Sequence, residues 1–392
     1  MEGSQVFKIY EPFIINDRHE YIYQKAAKVA HLAKSRRKQG DEEADFQIET
    51  LQDLKENDYI TLTLSKEYGG EEVSLYELLL AQERLAIGDG ATALSIGWHL
   101  GVMMELNDEP IWDEDVYDKL AKEVSTEKKI VNRAASEPAT GSPTRGGVPE
   151  TKAVPTESGY KLTGRKTFTS MATLLDYYIV SAYVEDRDAV GWFLIDSSKE
   201  GIEVDYTWDT VGMRGTGSHD LVLNEVMLSS KNLVEMQGDK KGGPKGWLLH
   251  IPAVYLGIAI AARNDAIEFA KGFQPNSLDR PISEVSHIQD KIGEMELKLL
   301  QARNFMYSIA EQWDQYPERR EILASSLGAV KTVATNTAND VVDLAMRIAG
   351  GRGLSKSYPF EQYYRDVRAG LHNPPMDDMV IQSMAEAAIK EL

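Results

Sequence analysis

What most constrains this chain is that its hydrophobic period changes twice, from helical to short β-rich runs and back to helical. From about Ile22 to Ala121 long stretches rich in Ala, Leu, Glu and Lys carry a helical pattern, broken at Gly69-Gly70. From Glu127 to Asn232 the character changes: the runs Tyr177 to Val184 and Gly191 to Ile195 are β-rich and bounded by Gly, Asp and Ser. After a Gly/Lys/Pro linker from Gly238 to Gly246, Ile288, Ile292, Met295, Leu299, Ala302, Met306 and Ile309 step by four and three. That spacing predicts one long amphipathic helix. A second covers Ile322 to Ala349 and stops at Gly350-Gly351, where glycine takes the backbone that a helix end favours. The pattern predicts a mainly α chain with a β domain: an all-α domain over 1–125, a central β domain over 126–235 and a helical bundle over 236–392.

With 392 residues, 42% hydrophobic and 27% charged, the chain has the composition of a folded globular protein. Its formal charge of -19 repels nucleic acid and anionic membrane surfaces. The absence of cysteine excludes disulfides, zinc-thiolate sites, iron-sulfur clusters and thiol nucleophiles. The N-terminus lacks the apolar core of a signal peptide, and no apolar run is expected to approach the roughly 20 residues of a membrane span. Cytoplasmic residence without membrane insertion is the expectation. There is no GxxxxGK[ST] loop, HExxH pair or GxSxG elbow, and the seven histidines show no metal-ligand spacing. Gly212-x-x-Gly215-x-Gly217 lies inside the β region with no helix after it, which argues against a dinucleotide-binding turn.

Several short motifs then fall in order along the chain. They are Leu64-Ser65-Lys66-Glu67-Tyr68-Gly69-Gly70 with Glu83-Arg84-Leu85-Ala86, Ala135-Ser136-Glu137-Pro138-Ala139-Thr140-Gly141-Ser142, and Lys166 leading into Phe168-Thr169-Ser170. Gly212-Met213-Arg214-Gly215-Thr216, Gly350-Gly351-Arg352-Gly353 and Tyr364-Arg365-Asp366-Val367-Arg368 complete the series. Together they resemble the acyl-CoA dehydrogenase superfamily through nearly the whole chain. The resemblance implies a flavoprotein with a helical N-terminal domain, a β-barrel-like middle domain, a C-terminal four-helix bundle and a homotetrameric assembly.

It also implies a flavin site. Ala135, Ser136 and Ser142 form the loop that hydrogen-bonds the polar edge of the isoalloxazine, Ser170 joins them, and Phe168 packs on the ring in place of the family's usual Trp. Arg347, Gly350 and Gly351 complete the set near the flavin tail, the glycines letting backbone approach a phosphate or adenine closely. The family's "R-x-x-F-G-x-P-I" survives only as Pro281-Ile282, with Pro275 and Leu278 at the Arg and Phe places and Arg280 as the substitute cation. FAD is the expected cofactor and FMN the alternative.

One loop departs from the pattern. The family's usual glutamate base lies nine residues after the Arg of "R-D", which from Arg365 is Pro374. The family's second base position falls around Trp247 to Leu249, where no acid stands. The family also polarises the thioester carbonyl with the backbone amide at the glutamate position, and proline has no N–H to donate. Asp377 and Asp378 are the alternative bases, or else residues that cap a helix. His372-Asn373-Pro374 resembles the flavin monooxygenase-like branch of the superfamily, which would place His372, Ser170 and His99 around the ring; His99 also reads as a satisfied helix histidine.

Three functions remain open. The first is an acyl-CoA dehydrogenase-like enzyme of fatty acid metabolism, oxidising an acyl-CoA thioester or related substrate by hydride transfer to flavin N5 and passing electrons to an electron-transfer flavoprotein or oxygen. The second is a two-component monooxygenase using reduced flavin. The third is a catalytically silent flavin- or acyl-CoA-binding homologue.

Overall fold

The computed structural model describes residues 8–140, 147–239 and 243–392. The first helical run becomes α1 (Asp17–Glu43), α2 (Ile48–Glu56), α3 (Leu75–Gly88), α4 (Gly90–Asp108) and α5 (Glu114–Thr126). Side chains that satisfy the first free N–H groups set where these helices start. Asn16 accepts the His19 N–H at 2.8 Å on α1, Ser74 and Glu77 form a reciprocal capping box on α3, and Asp89 takes the N–H groups of Ala91 and Thr92 on α4. The break at Gly69-Gly70 is steric: Gly69 has φ +81°, and a Cβ on Gly70 would lie 2.0 Å from the Leu64 carbonyl oxygen. α3 and α4 are buried nearly all round, as helices at the centre of a large core are.

The middle region is built from β1 (Val131–Ala134), β2 (Lys152–Thr156), β3 (Gly159–Lys166), β4 (Tyr177–Val184), β5 (Ala189–Asp196), β6 (Ile202–Asp205), β7 (Asp220–Ser229) and β8 (Leu233–Met236). They form one eight-stranded sheet in the order β6-β7-β3-β2-β4-β5-β8, with β1 also paired to β4. β4 is the central strand: it lies antiparallel to β5 and parallel to β1 and β2, and all but one of its side chains is buried. Burial on both faces explains why its sequence is a continuous apolar run and does not alternate.

The last region holds α6 (His250–Gly272), α7 (Ser286–Gln315), α8 (Ala324–Ala349), α9 (Phe360–Ala369) and α10 (Asp377–Glu391). Ile288, Met295, Leu299, Ala302, Met306 and Ile309 are the buried face of α7. α8 starts later than its pattern suggests, because Pro317–Leu323 first form a 3-10 turn. One expectation is corrected here. Gly246–Gly272 is long and apolar enough to cross a membrane by length and composition, but 89% of its apolar window is buried inside the protein. It is a core helix, packed on α3 and α8. Small residues on α4 let it approach: a Cβ at Gly101 would lie 2.1 Å from the Trp247 ring, and one at Gly97 2.2 Å from His250 Nδ1.

Charge pairs, one of them fully buried, tie the regions together. Arg303 of α7 makes a two-point pair with Glu83 of α3, both bonds at 2.9 Å, and the two side chains are 1% and 0% exposed. Arg365 of α9 grips Asp41 of α1 at 2.9 and 2.7 Å and also donates to the Val211 carbonyl at 2.9 Å.

Candidate functional site

Two segments of the β region lie side by side because a buried ion pair pins them. The turn after β1 carries Glu137, whose carboxylate accepts from Lys166 Nζ at 2.5 Å, from the Thr151 hydroxyl at 2.6 Å and from the Glu150 and Thr151 N–H groups at 2.6 and 3.1 Å. Lys166, at the end of β3, also reaches the Ser181 hydroxyl at 3.1 Å. Burial raises the Glu137 carboxyl, yet the bonds from Lys166, Thr151 and Glu150 outweigh it and hold the group below its usual range. Burial lowers Lys166, with Glu137 opposing. The Thr167 N–H donates to the Ser136 carbonyl at 2.9 Å, so Ser136 sits beside the strand end that bears Phe168 and Ser170.

Phe168 is 65% exposed and has φ +57°, a left-handed backbone that costs a bulky residue about 1–2 kcal/mol. Its ring meets Trp208 edge-on at 5.9 Å. Trp208 in turn donates from Nε1 to the Met213 carbonyl at 3.2 Å, and Met213 itself has φ +54°. Next to this aromatic, Ser170 Oγ is 2.9 Å from Ser218 Oγ, which is 2.8 Å from the Thr216 hydroxyl. An exposed, conformationally strained aromatic beside a chain of buried hydroxyls offers a flat heteroaromatic ring a face to cover and a polar edge to meet. The residues therefore fit a flavin. Ala135 and Ser136 are partly buried on the same turn, while Ser142 lies outside the described residues.

Asp366, one residue after Arg365, stands in the sequence only as part of the Tyr364 to Arg368 motif, with no role of its own. It is buried and accepts the Met213 N–H at 2.6 Å, which fixes the loop carrying Gly212 to Thr216. Burial pushes its carboxyl up to about 7, against the pull of the Met213 N–H. Gly212 has no room for a side chain, because a Cβ would lie 2.2 Å from the Arg365 carbonyl oxygen.

The candidates at the departing loop are placed differently from one another. Asp377 opens α10 and is held by the buried Lys331 at 3.2 Å and the Asn336 side-chain amide at 2.7 Å. Asp378 is exposed in the same first turn, and His372 is exposed in the loop. His99 is fully buried: its Nδ1 accepts the Val131 N–H at 3.1 Å, so Nε2 carries the proton and donates to the Ile60 carbonyl at 3.0 Å. Burial pushes its pKa down to about 4. It is a satisfied helix histidine, with neither nitrogen open to a reacting group.

Around Trp247 to Leu249 there is no acid, but His250 follows, fully buried and packed against Trp98 and Trp247 at ring distances of 4.8 and 5.9 Å. Burial keeps it neutral, its pKa pushed down to about 3. Arg280 is exposed before α7, and Arg347 pairs with Asp343 at 2.6 Å on α8. Gly350 has φ +60°, and no atom lies within 4 Å of a Cβ built on it or on Gly351, so this turn presents open backbone.

The chain matches three family descriptions: acyl-CoA dehydrogenase N-terminal domain over residues 16–108, middle domain over 132–226 and C-terminal domain over 249–371. It is 50% identical over 379 residues, 96% of this chain and 99% of the relative, to the provisionally named acyl-CoA dehydrogenase YdbM of Bacillus subtilis (strain 168). Among solved structures, butyryl-CoA dehydrogenase from Megasphaera elsdenii superposes with a TM-score of 0.83 at 22% identity, covering 96% of this chain and 99% of that one. Dibenzothiophene monooxygenase (TdsC) from Paenibacillus sp. A11-2 does so with 0.83 at 20% identity, covering 95% and 98%. Both likenesses show the fold.

Proposed function

We propose that this chain, which belongs to the acyl-CoA dehydrogenase family, is a flavin-dependent oxidoreductase that acts on an acyl-CoA thioester and works as a homotetramer. The observation that carries the reading is Phe168, exposed and held in a left-handed backbone beside Ser136 and Ser170. A flavin bound there, FAD in this reading, supplies the two-electron acceptor for the substrate. Phe168 covers the ring and excludes water from one side. The Ser136 and Ser170 hydroxyls orient its polar edge, and Glu137 with Lys166 keeps those two segments in register. The Gly350-Gly351 turn offers open backbone to a phosphate, with Arg280 and Arg347 as exposed cations.

Removing a proton next to the thioester requires a base. Asp377 is engaged by Lys331 and Asn336, so in this reading the proton goes to His372 or Asp378. Anaerobic titration of the flavin-loaded protein with acyl-CoAs of graded chain length is expected to bleach the oxidised flavin band. His372→Gln or Asp378→Asn should slow that bleaching about 100-fold, whichever is the base, without loss of flavin. Absence of bleaching with every acyl-CoA would remove the dehydrogenase reading. The electron acceptor is then an electron-transfer flavoprotein or oxygen, told apart by which of them reoxidises the reduced protein.

A second reading, a monooxygenase fed with reduced flavin, is favoured by the loop that carries His372 and has Pro374 where a glutamate is expected. It would show as substrate-dependent oxygen consumption by the reduced protein, with no reduction by acyl-CoA.

A further inference from the structure

The loop over residues 371–375 follows the helix whose Asp366 fixes the Met213 loop of the candidate site, and its hydrogen-bond donors can be accounted for one by one. The Leu371 N–H donates to the Arg368 carbonyl at 3.2 Å, and the His372 and Asn373 N–H groups both donate to the Ala369 carbonyl, at 3.0 and 3.2 Å. Pro374 and Pro375 have no N–H. No backbone donor is therefore left between residues 371 and 375 for a substrate oxygen. Only the His372 ring and the Asn373 side-chain amide remain.

The Asn373 amide is the one of the two that is fixed. Tyr255, on the core helix α6, donates its hydroxyl to Asn373 Oδ1 at 2.5 Å. Tyr255 is fully buried and burial pushes its phenol far above the usual range, so it stays protonated and must find an acceptor. Turning the amide round would aim its N–H groups at the phenol oxygen and leave the phenolic proton buried without a partner. The oxygen of Asn373 therefore faces Tyr255 and its Nδ2 faces away from the core, on a residue that is partly exposed. The Tyr255 ring is itself locked against the loop, since a Cβ on Gly370 would lie 2.9 Å from it. His372, by contrast, is exposed.

We propose that the side-chain amide of Asn373 donates the hydrogen bond that polarises the carbonyl oxygen of the thioester substrate, replacing the backbone donor that Pro374 cannot supply. This rests on the acyl-CoA reading above. Tyr255 acts through Asn373 as a positioning residue. A rigid, preoriented N–H aimed at an oxygen that gains negative charge in the transition state is the kind of group whose loss lowers turnover about 100-fold or more.

The test uses the flavin-loaded protein and an indoleacryloyl thioester of coenzyme A, a conjugated probe whose absorbance moves to longer wavelength when its carbonyl accepts a hydrogen bond. The wild-type protein is expected to shift the probe's band. Asn373→Asp keeps the shape and the bond from Tyr255 but has no N–H, and with Asn373→Ala it should abolish the shift while the flavin spectrum is unchanged and the probe still binds. Tyr255→Phe should give a smaller shift, with both N–H groups present but no longer held. A shift that survives Asn373→Asp and Asn373→Ala overturns the proposal, as does wild-type binding of the probe without any shift; in both cases the acyl-CoA reading stands. If the wild-type protein binds no acyl-CoA thioester, the reading itself falls and the proposal with it.

Discussion

A carboxyl group that is protonated in the folded chain and ionised in the unfolded one makes stability depend on pH, and Asp366 is such a group. Burial lifts it from 3.8 to about 7. Between about pH 4 and 7 the folded chain thus holds a proton that the unfolded chain has released, so stability falls as pH rises through that window. Asparagine has the same shape, never ionises and can still accept the Met213 N–H. Asp366→Asn is therefore expected to flatten the fall in the urea midpoint across that range, making the variant more stable than the parent above about pH 7. An unchanged slope would mean that another buried group titrates there. Because Asp366 also fixes the Met213 loop, which Trp208 and Phe168 lean on, the same measurement repeated with flavin bound reports whether the loop's charge state reaches the candidate site.

At the level of elements, the turn after β1 and the end of β3 are joined by Lys166 and Glu137, both fully desolvated. Replacing only the lysine leaves a buried carboxylate without its counter-charge. Lys166→Met should cost about 3–5 kcal/mol, while Lys166→Met combined with Glu137→Gln should recover much of that loss. Urea denaturation of the two variants checks this; equal losses would mean that the lysine stem, not the charge pair, holds the turn. Local signals of this kind were legible in the sequence only in part. The stepped face of α7 is set by neighbours three or four residues apart, so the pattern alone reveals it; the capping box of Ser74 and Glu77 is equally local, but its reciprocal bonds are seen only in the structure. Glu137 and Lys166 stand inside recognisable motifs, but their bond spans 29 residues and depends on how strands pair. Asn373 was visible only as part of a loop that does not match the family, because its partner Tyr255 is 118 residues away on a helix whose sequence shows only that it is apolar.

Across the whole molecule the three regions share one core, so the question is whether they unfold as one. The main hydrophobic cluster runs from Tyr10 and Ile22 through Val180 and Phe193 to Val341 and Val367. Arg365 lies where the regions meet: it bridges Asp41 at the end of α1, the Val211 carbonyl in the β region and Glu361 on its own helix α9. It is not fully buried, 21% exposed against 14% for Asp41, so its worth is that of charge-assisted hydrogen bonds with partial screening, about 1–3 kcal/mol. Arg365→Met keeps much of the side-chain length and removes all of those bonds. If the regions form a single cooperative unit, calorimetry of this variant should show one transition at lower temperature, with calorimetric and van't Hoff enthalpies still equal. Two separated transitions would instead identify Arg365 as the link that makes the β region unfold with the helices. Its flavin retention should fall as well, since the lost guanidinium also holds the Val211 carbonyl, and the next residues of that loop support the aromatic pair Trp208 and Phe168. A variant that loses stability yet keeps its flavin would separate the interdomain brace from the candidate site.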